Sequence, residues 1–347
     1  MVTRSAPLLV SILINNYNYG RFLVDAIESA LAQTYEHCEI IVVDDGSTDG
    51  SPEIIERYAK SSPNKLVSIL KANGGQASAF NAGFERSRGD IICFLDADDT
   101  FSPRKAQRLV DLFVAQAQAN PKIGWCFHPI ERVDCDLQPI GWDESGWREG
   151  GIYDLRSRLQ RGKLGKATPF DCLVTSGMCF TRAMLSQLLP MPTDIKITSD
   201  DYLKYAALGT SPGYMLMEKL ARQRLHGDNA YTGRDEKQAL QGKIMLQTAY
   251  FLKRDFPSIG AFADNLYALG LAKLSKYQLT EHQLTEDRLT EHQLTQDRLD
   301  PPECGHSSDA TRELPLDSLI RAYAKALPLL TAIRLHAKKT YYRYSAK

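Results

Sequence analysis

Ile91-Ile92-Cys93-Phe94-Leu95 runs directly into Asp96-Ala97-Asp98-Asp99. The apolar run reads as an interior parallel strand, because a strand covered on both faces needs no polar alternation. The acids stand where that strand stops, and open α/β sheets bind ligands in the crevice outside the carboxyl ends of their strands. Carboxylates this close repel one another unless a cation or hydrogen-bond donors compensate, and hard divalent ions take oxygen ligands of this kind. The sharper reading is a Mg²⁺ or Mn²⁺ site. A plainer one is an acidic helix N-terminus, since Ser102-Pro103 opens a helix whose dipole favours nearby anions.

A second strand ends the same way. Glu39-Ile40-Ile41-Val42-Val43 leads into Asp44-Asp45-Gly46-Ser47-Thr48-Asp49-Gly50-Ser51, and Pro52 suits the first turn of a helix. A capped strand-to-helix turn accounts for Ser47, Thr48 and Ser51 but not for Asp44 and Asp45 together. Such carboxylates accept hydrogen bonds from a base N–H or from ribose hydroxyls in dinucleotide sites.

Working outward, strand-like runs at Leu8 to Ile14, Leu66 to Leu70 and Ile123 to Phe127 join these two, and helical segments alternate with them. That alternation predicts a mostly parallel sheet. Phe22, Leu23, Ala26, Ile27, Ala30 and Leu31 recur at helical spacing, and Arg21, Asp25, Glu28 and Gln33 fall on the other face. Asn73-Gly74-Gly75 opens a helix whose backbone N–H groups suit phosphate. Between Pro129 and Gly151, Trp142 and Trp147 are either an aromatic face for a ligand to stack on or ordinary packing.

Taken together, these segments resemble glycosyltransferase family 2, whose nucleotide-sugar domain has the GT-A fold. Pro7 to Tyr19 is similar to the family's first strand and loop, with Asn15-Asn16-Tyr17-Asn18 where many members have Pro-Thr-Tyr-Asn. Asn73 to Gly83 is similar to its Gly-rich loop and helix, with Phe80 where many relatives carry Arg before Asn81. Ser199-Asp200-Asp201-Tyr202-Leu203 resembles the Glu-Asp motif that supplies the base, with Asp200 in place of Glu. Arg224-Leu225-His226 resembles a downstream Arg-x-His segment. The likeness covers roughly residues 7 to 230, and the order and spacing of the motifs carry it.

What the resemblance implies is an inverting transfer from a nucleotide-diphosphate sugar to a hydroxyl of a glycan or lipid-linked acceptor. Asp44 and Asp45 would hold the nucleoside. Asn15, Tyr17, Asn73, Gly75, Gln76, Asn81 and Ala97 would line the donor site. Asp96 would support ribose or metal, Asp98 would bind metal and pyrophosphate, and His226 would help bind the Mn²⁺ or Mg²⁺. Asp201 would deprotonate the acceptor beside Asp200. The alternative is a non-catalytic nucleotide-sugar-binding or scaffold protein of the same fold, because Phe80 and Asp200 depart from common patterns.

Composition bounds the rest. The 347 residues carry 42 basic and 42 acidic side chains, so net charge gives no reason to expect a nucleic-acid partner. Seven cysteines without a CxxC pair fit a reducing compartment, and a cytoplasmic enzyme is expected. Leu8 to Ile14 is too short to span a bilayer. The expected organisation is an α/β GT-A domain over 1–232, meaning a Rossmann-like, mostly parallel sheet flanked by helices. A helical extension over 233–277, a low-complexity repeat and linker over 278–310, and a C-terminal helix and basic tail over 311–347 follow.

Within the repeat, Leu279, Leu284, Leu289, Leu294 and Leu299 recur every fifth residue. That period spreads them about 140° apart around a helix, so no apolar seam results. The tail sets Leu327, Leu329, Leu330, Ile333 and Leu335 beside Lys338, Lys339, Arg343 and three tyrosines. It suits either docking on its own domain or peripheral contact with an anionic inner membrane face.

Overall fold

The computed structural model describes residues 6–117, 122–141, 149–162, 173–227, 229 and 237–276. Trp142, Trp147, the repeat and the C-terminal helix and tail lie outside the described residues. The first half alternates as expected: β1 (Val10–Asn16), α1 (Gly20–Leu31), β2 (Cys38–Asp44), α2 (Ser51–Ser61), β3 (Leu66–Leu70), α3 (Gln76–Arg86) and β4 (Ile91–Asp96). Next come β5 (Thr100–Phe101), α4 (Lys105–Gln116), β6 (Trp125–Phe127), β7 (Glu131–Val133), β8 (Gly151–Tyr153) and α5 (Arg156–Gln160). The last elements are β9 (Met178–Thr181), α6 (Arg182–Leu185), α7 (Ser199–Thr210), β10 (Gly213–Met215), β11 (Ala221–Arg224), α8 (Lys237–Asp255) and α9 (Gly260–Lys276).

Among the described residues, eight strands form one sheet in the order β3-β2-β1-β4-β9-β6-β10-β8. β1 pairs in parallel with both β2 and β4, so the chain leaves it first to one side and later to the other. A crevice opens at such a reversal, outside the strand ends. β9 runs antiparallel between β4 and β6.

Both faces of the central strands are covered, which explains their unbroken apolar runs. Val10, Ile12 and Ile14 join Leu23, Ala26 and Ile27 of α1 and Leu109 of α4 in one buried cluster. On the opposite face, Gly83 of α3 approaches Leu13 and Val43 so closely that a Cβ there would sit 3.3 Å from Val43. Phe80, at the position where many relatives have Arg, is 1% exposed with its ring 4.5 Å from that of Phe94. Burying a side chain of that size stabilises by roughly 1.5–3 kcal/mol, so Phe80 serves the core.

A second, three-stranded sheet has the order β5-β11-β7. β5 follows the Asp96–Asp99 turn at once, and pairing it with β11 carries Arg224 and His226 back to those acids.

The chain divides into two compact units. The first holds Met1–Thr232 together with Phe251–Phe262. The hydroxyl of Tyr202 donates to Asp255 at 2.8 Å, and the rings of Tyr205 and Phe262 lie 4.9 Å apart, so this part of the expected helical extension packs within the first unit. The second holds Gly233–Tyr250 and residues from Ala263 onward. There Gly242 and Gly270 let α8 and α9 touch, since a Cβ on Gly270 would lie 2.8 Å from the Gly242 carbonyl. Among the described residues no helix is long and apolar enough to cross a membrane.

Candidate active site

Parallel pairing sets the tips of three strands level, with Asn15 opposite Asp96 and Asn16 opposite Asp44. Asn16 Nδ2 donates to Asp44 at 2.7 Å, and Ser47 donates to the same carboxylate through N at 2.9 Å and Oγ at 2.6 Å. Asp45 accepts from the backbone N–H of Gly74 and Gly75 and from Lys71 Nζ. Both acids are thereby buried and shape the loops around the crevice. Gly75 has φ +84°, and a Cβ there would lie 2.8 Å from Lys196 Cα, so only glycine fits.

Gln76, the first residue of α3, connects three segments. Its N donates to the Lys196 carbonyl at 2.8 Å, its Oε1 accepts from Ser199 N at 2.9 Å, and its Nε2 points to Asp96 Oδ1 at 3.5 Å. Asn73 stands beside it, its N close against Gly46.

The acids after β4 divide their roles. Asp96 accepts from Asn15 Nδ2 at 3.1 Å. Asp98 Oδ2 faces His226 Nε2 at 3.1 Å and Asn229 Nδ2 at 3.3 Å. Asp99 is buried, accepting from Ser176 Oγ at 2.6 Å and Arg224 N at 3.1 Å, while Ala97 packs in the core. Lys105, 1% exposed, donates to the Ser176 carbonyl at 2.7 Å beneath them, and Arg224 donates to the carbonyl of Asp98 and to Asp25.

Asp200 and Asp201 occupy the first turn of α7. Its cap is Thr198, at φ 51° and ψ 40° and without a side-chain capping bond, so Asp200 does not cap the helix. Asp200 Oδ1 accepts from Asp201 N at 3.0 Å, and the Asp201 carboxylate is bonded to Lys204.

Negative charge accumulates here. Asp96 keeps part of its surface open, yet packing around its carboxyl, then the charges of Asp98 and Asp200, raise it to about 7 despite the Asn15 hydrogen bond. Desolvation and then Asp201 raise Asp200 to about 6. Asp99 is raised well above the carboxylate range by burial, then by Asp98 and Asp96. Two segments distant in sequence therefore place mutually repelling carboxylates at one crevice.

That excess fits a divalent cation. Among the described residues no three His, Cys, Asp or Glu side chains form a cage by themselves, so the expected set Asp96, Asp98 and His226 is not preassembled. The reason is visible: His226 bonds Asp98, and Asp96 turns to Asn15. Mg²⁺ in phosphate sites takes one or two carboxylates plus substrate phosphates, which Asp96 and Asp98 can supply. The Asn15 Oδ1 nearby is buried without a hydrogen-bond partner.

Of the other anticipated residues, Tyr17 is half-buried on the loop after β1. Asn81 does not join the cluster; it exchanges hydrogen bonds of 2.8 and 2.9 Å with the backbone of Met191. Lys71, Lys105 and Lys204 escaped the sequence reading. Lys105 had a signal, because it shares one helix face with Leu109 and Phe113 at four-residue spacing.

Comparison with known proteins agrees with this architecture. Residues 11–175 match the model of glycosyl transferase family 2. An uncharacterized glycosyltransferase of Nostoc sp. is 37% identical over 223 residues, 63% of this chain and 66% of that protein. A Bacillus subtilis glycosyltransferase named for teichuronic acid biosynthesis, TuaG, is 35% identical over 34% of this chain and 46% of its own length. The chain thus spans just under two thirds of the first relative and under half of the second. The crystal structure of Staphylococcus aureus TarS 1–349 with UDP superposes at TM-score 0.54 and 16% identity, covering 82% of this chain and 77% of that one. A Pyrobaculum calidifontis mannosyltransferase, in complex with GDP-Man and Mn²⁺, gives 0.50 and 18%, covering 96% and 85%. The fold is GT-A, and residues 11–175, just under half of the chain, are similar to glycosyl transferase family 2.

Proposed function

We propose that the protein transfers a sugar from a nucleoside-diphosphate sugar to a hydroxyl acceptor with inversion at the anomeric carbon. The observation that carries this reading is the convergence of Asp96, Asp98 and Asp200 on one crevice, where the charges of Asp98 and Asp200 oppose ionisation of Asp96. Glycosyl transfer needs a base on the acceptor side, in-line attack and a stabilised diphosphate leaving group. Asp201 is the base: it takes the proton from the acceptor hydroxyl as that oxygen bonds to the anomeric carbon. The carbon–oxygen bond to phosphate breaks on the opposite side, and its electron pair leaves with the nucleoside diphosphate.

Asp96 and Asp98 would hold a divalent ion, which acts as a Lewis acid for that leaving group. Asn15, Asp44, Asp45, Asn73, Gly75 and Gln76 order the donor side. The name of the Bacillus relative supports a polysaccharide or other glycan as acceptor, and the nucleotide ligands of the two solved structures support a nucleoside-diphosphate sugar as donor. Incubating the protein with UDP- and GDP-linked hexoses and Mn²⁺ should release nucleoside diphosphate from at least one donor. No release from any donor, with or without added glycan acceptors, would remove the reading.

A further inference from the structure

We propose that Lys204 is a positioning residue of this transfer, orienting the Asp201 carboxylate to receive the acceptor's proton. The inference rests on the reading of Asp201 given above. Lys204 lies three residues after Asp201 on α7, with its ammonium bonded to Asp201 Oδ1. Its side chain is 11% exposed, against 27% for Asp201. Among the described residues Asp201 Oδ2 accepts no hydrogen bond, so the pair fixes one oxygen and leaves the other without a protein donor.

Fold stability does not explain a lysine here. Lysine is almost never buried without a partner, and desolvating an ammonium is costly. Even when paired, a buried ion pair often stabilises no more than well-packed apolar residues would. Its neighbours on α7 are apolar, with Leu203, Ala206, Ala207 and Leu208 all buried. Lys204 also sits 4.7 Å from the centroid of the Tyr205 ring, which limits where the ammonium can move. Its shortest bond goes to the carboxylate that the reaction uses, and it also reaches the side chain of Tyr205. An aspartate rotates freely about two side-chain bonds, and holding a reacting group in place is worth large factors in rate.

The test is steady-state kinetics of the full chain with Mn²⁺ and a panel of UDP- and GDP-linked hexoses, for wild type, Lys204→Met, Lys204→Arg, Asp201→Asn and the Asp201→Asn/Lys204→Met double variant. With Lys204→Met, kcat should fall about 10- to 100-fold while the donor KM stays within about twofold, and Lys204→Arg should recover most of the loss. In the Asp201→Asn background, removing the lysine should cost nothing further, because both changes act on one group.

A kcat for Lys204→Met within about twofold of wild type, or losses that multiply in the double variant, overturns the inference while leaving the transferase reading intact. Absence of turnover by the wild type overturns both. If Lys204→Met does not fold, as judged by thermal melting, Lys204→Gln is compared with Lys204→Arg, and equal kcat values in those two overturn it.

Discussion

His226 Nε2 meets Asp98 Oδ2 at 3.1 Å across 128 residues of sequence, while Nδ1 of the same ring lies 3.3 Å from Arg21 Nη2. The guanidinium has only donors, so Nδ1 accepts and Nε2 carries the ring proton toward Asp98. His226 thus orients the carboxylate, as outer partners of metal ligands do. Removing Asp98 as Asp98→Ala should reduce Mn²⁺-dependent turnover by about 10²-fold or more. His226→Ala should raise the Mn²⁺ concentration for half-maximal activity by about 10- to 100-fold, with His226→Gln milder. A Mn²⁺ titration decides it, and unchanged curves for Asp98→Ala would refute the assignment.

Asp200 and Asp201 should separate in single-turnover assays. Asp201→Asn keeps size but loses the proton acceptor, so the chemical step should slow by about 10²- to 10⁴-fold while donor binding persists. Asp200→Asn removes a charge that raises Asp96, and its effect should be smaller. The reverse order of damage would reassign the base.

Thr198 holds a left-handed backbone that a β-branched residue adopts only at a cost of about 1–3 kcal/mol. Thr198→Gly should therefore raise resistance to urea, by about 1 kcal/mol after the added chain entropy of glycine. It should also loosen the turn that brings Ser199 N to Gln76 and lower kcat. Loss of stability in the urea curve would show that the conformation carries no strain.

Glu39, buried near the start of β2, accepts from Ser11 Oγ at 2.7 Å and from Arg88. Burial alone would raise its pKa, but the Ser11 bond and then the Arg88 bonds and charge outweigh it and hold the carboxyl below the usual value of 4.5. A folded-state pKa below the unfolded one gives stability that is complete above about 4.5 and lost as pH falls through the folded value. Glu39→Gln should lower Tm at pH 7, by about 1–3 kcal/mol in stability, and the gap to wild type should close toward pH 3. Parallel Tm curves across that range would contradict this role.

The strands and their terminal acids were legible because continuous apolar runs and the carboxylates beyond them have no other economical explanation. The duties of Asp44 and Asp45 were not. Tight turns at Ser47 and at Gly74-Gly75 leave backbone N–H groups that need acceptors, and those carboxylates supply them. Lys204 looked like any helix lysine, since its burial depends on packing that helical spacing does not report. Met178–Thr181 is too short to announce itself, and its place opposite Cys93 and Cys126 is decided by partners far along the chain. Where a residue's role depended on local order it could be read; where it depended on a distant neighbour it could not.

The position of β9 has a consequence for synthesis. β1 to β4 are complete once residue 96 has been made, but the flank of β4 stays open until Met178–Thr181 emerges to cover it. At about 5–20 residues per second, a nascent chain carries that bare hydrogen-bonding flank, and acids still lacking Ser176, Arg224 and His226, for several seconds. Open flanks of this kind recruit other strands. Ribosome-bound chains halted between residues 100 and 170 should accordingly lean on chaperones more heavily than chains halted beyond 181, where the sheet has closed over its own middle.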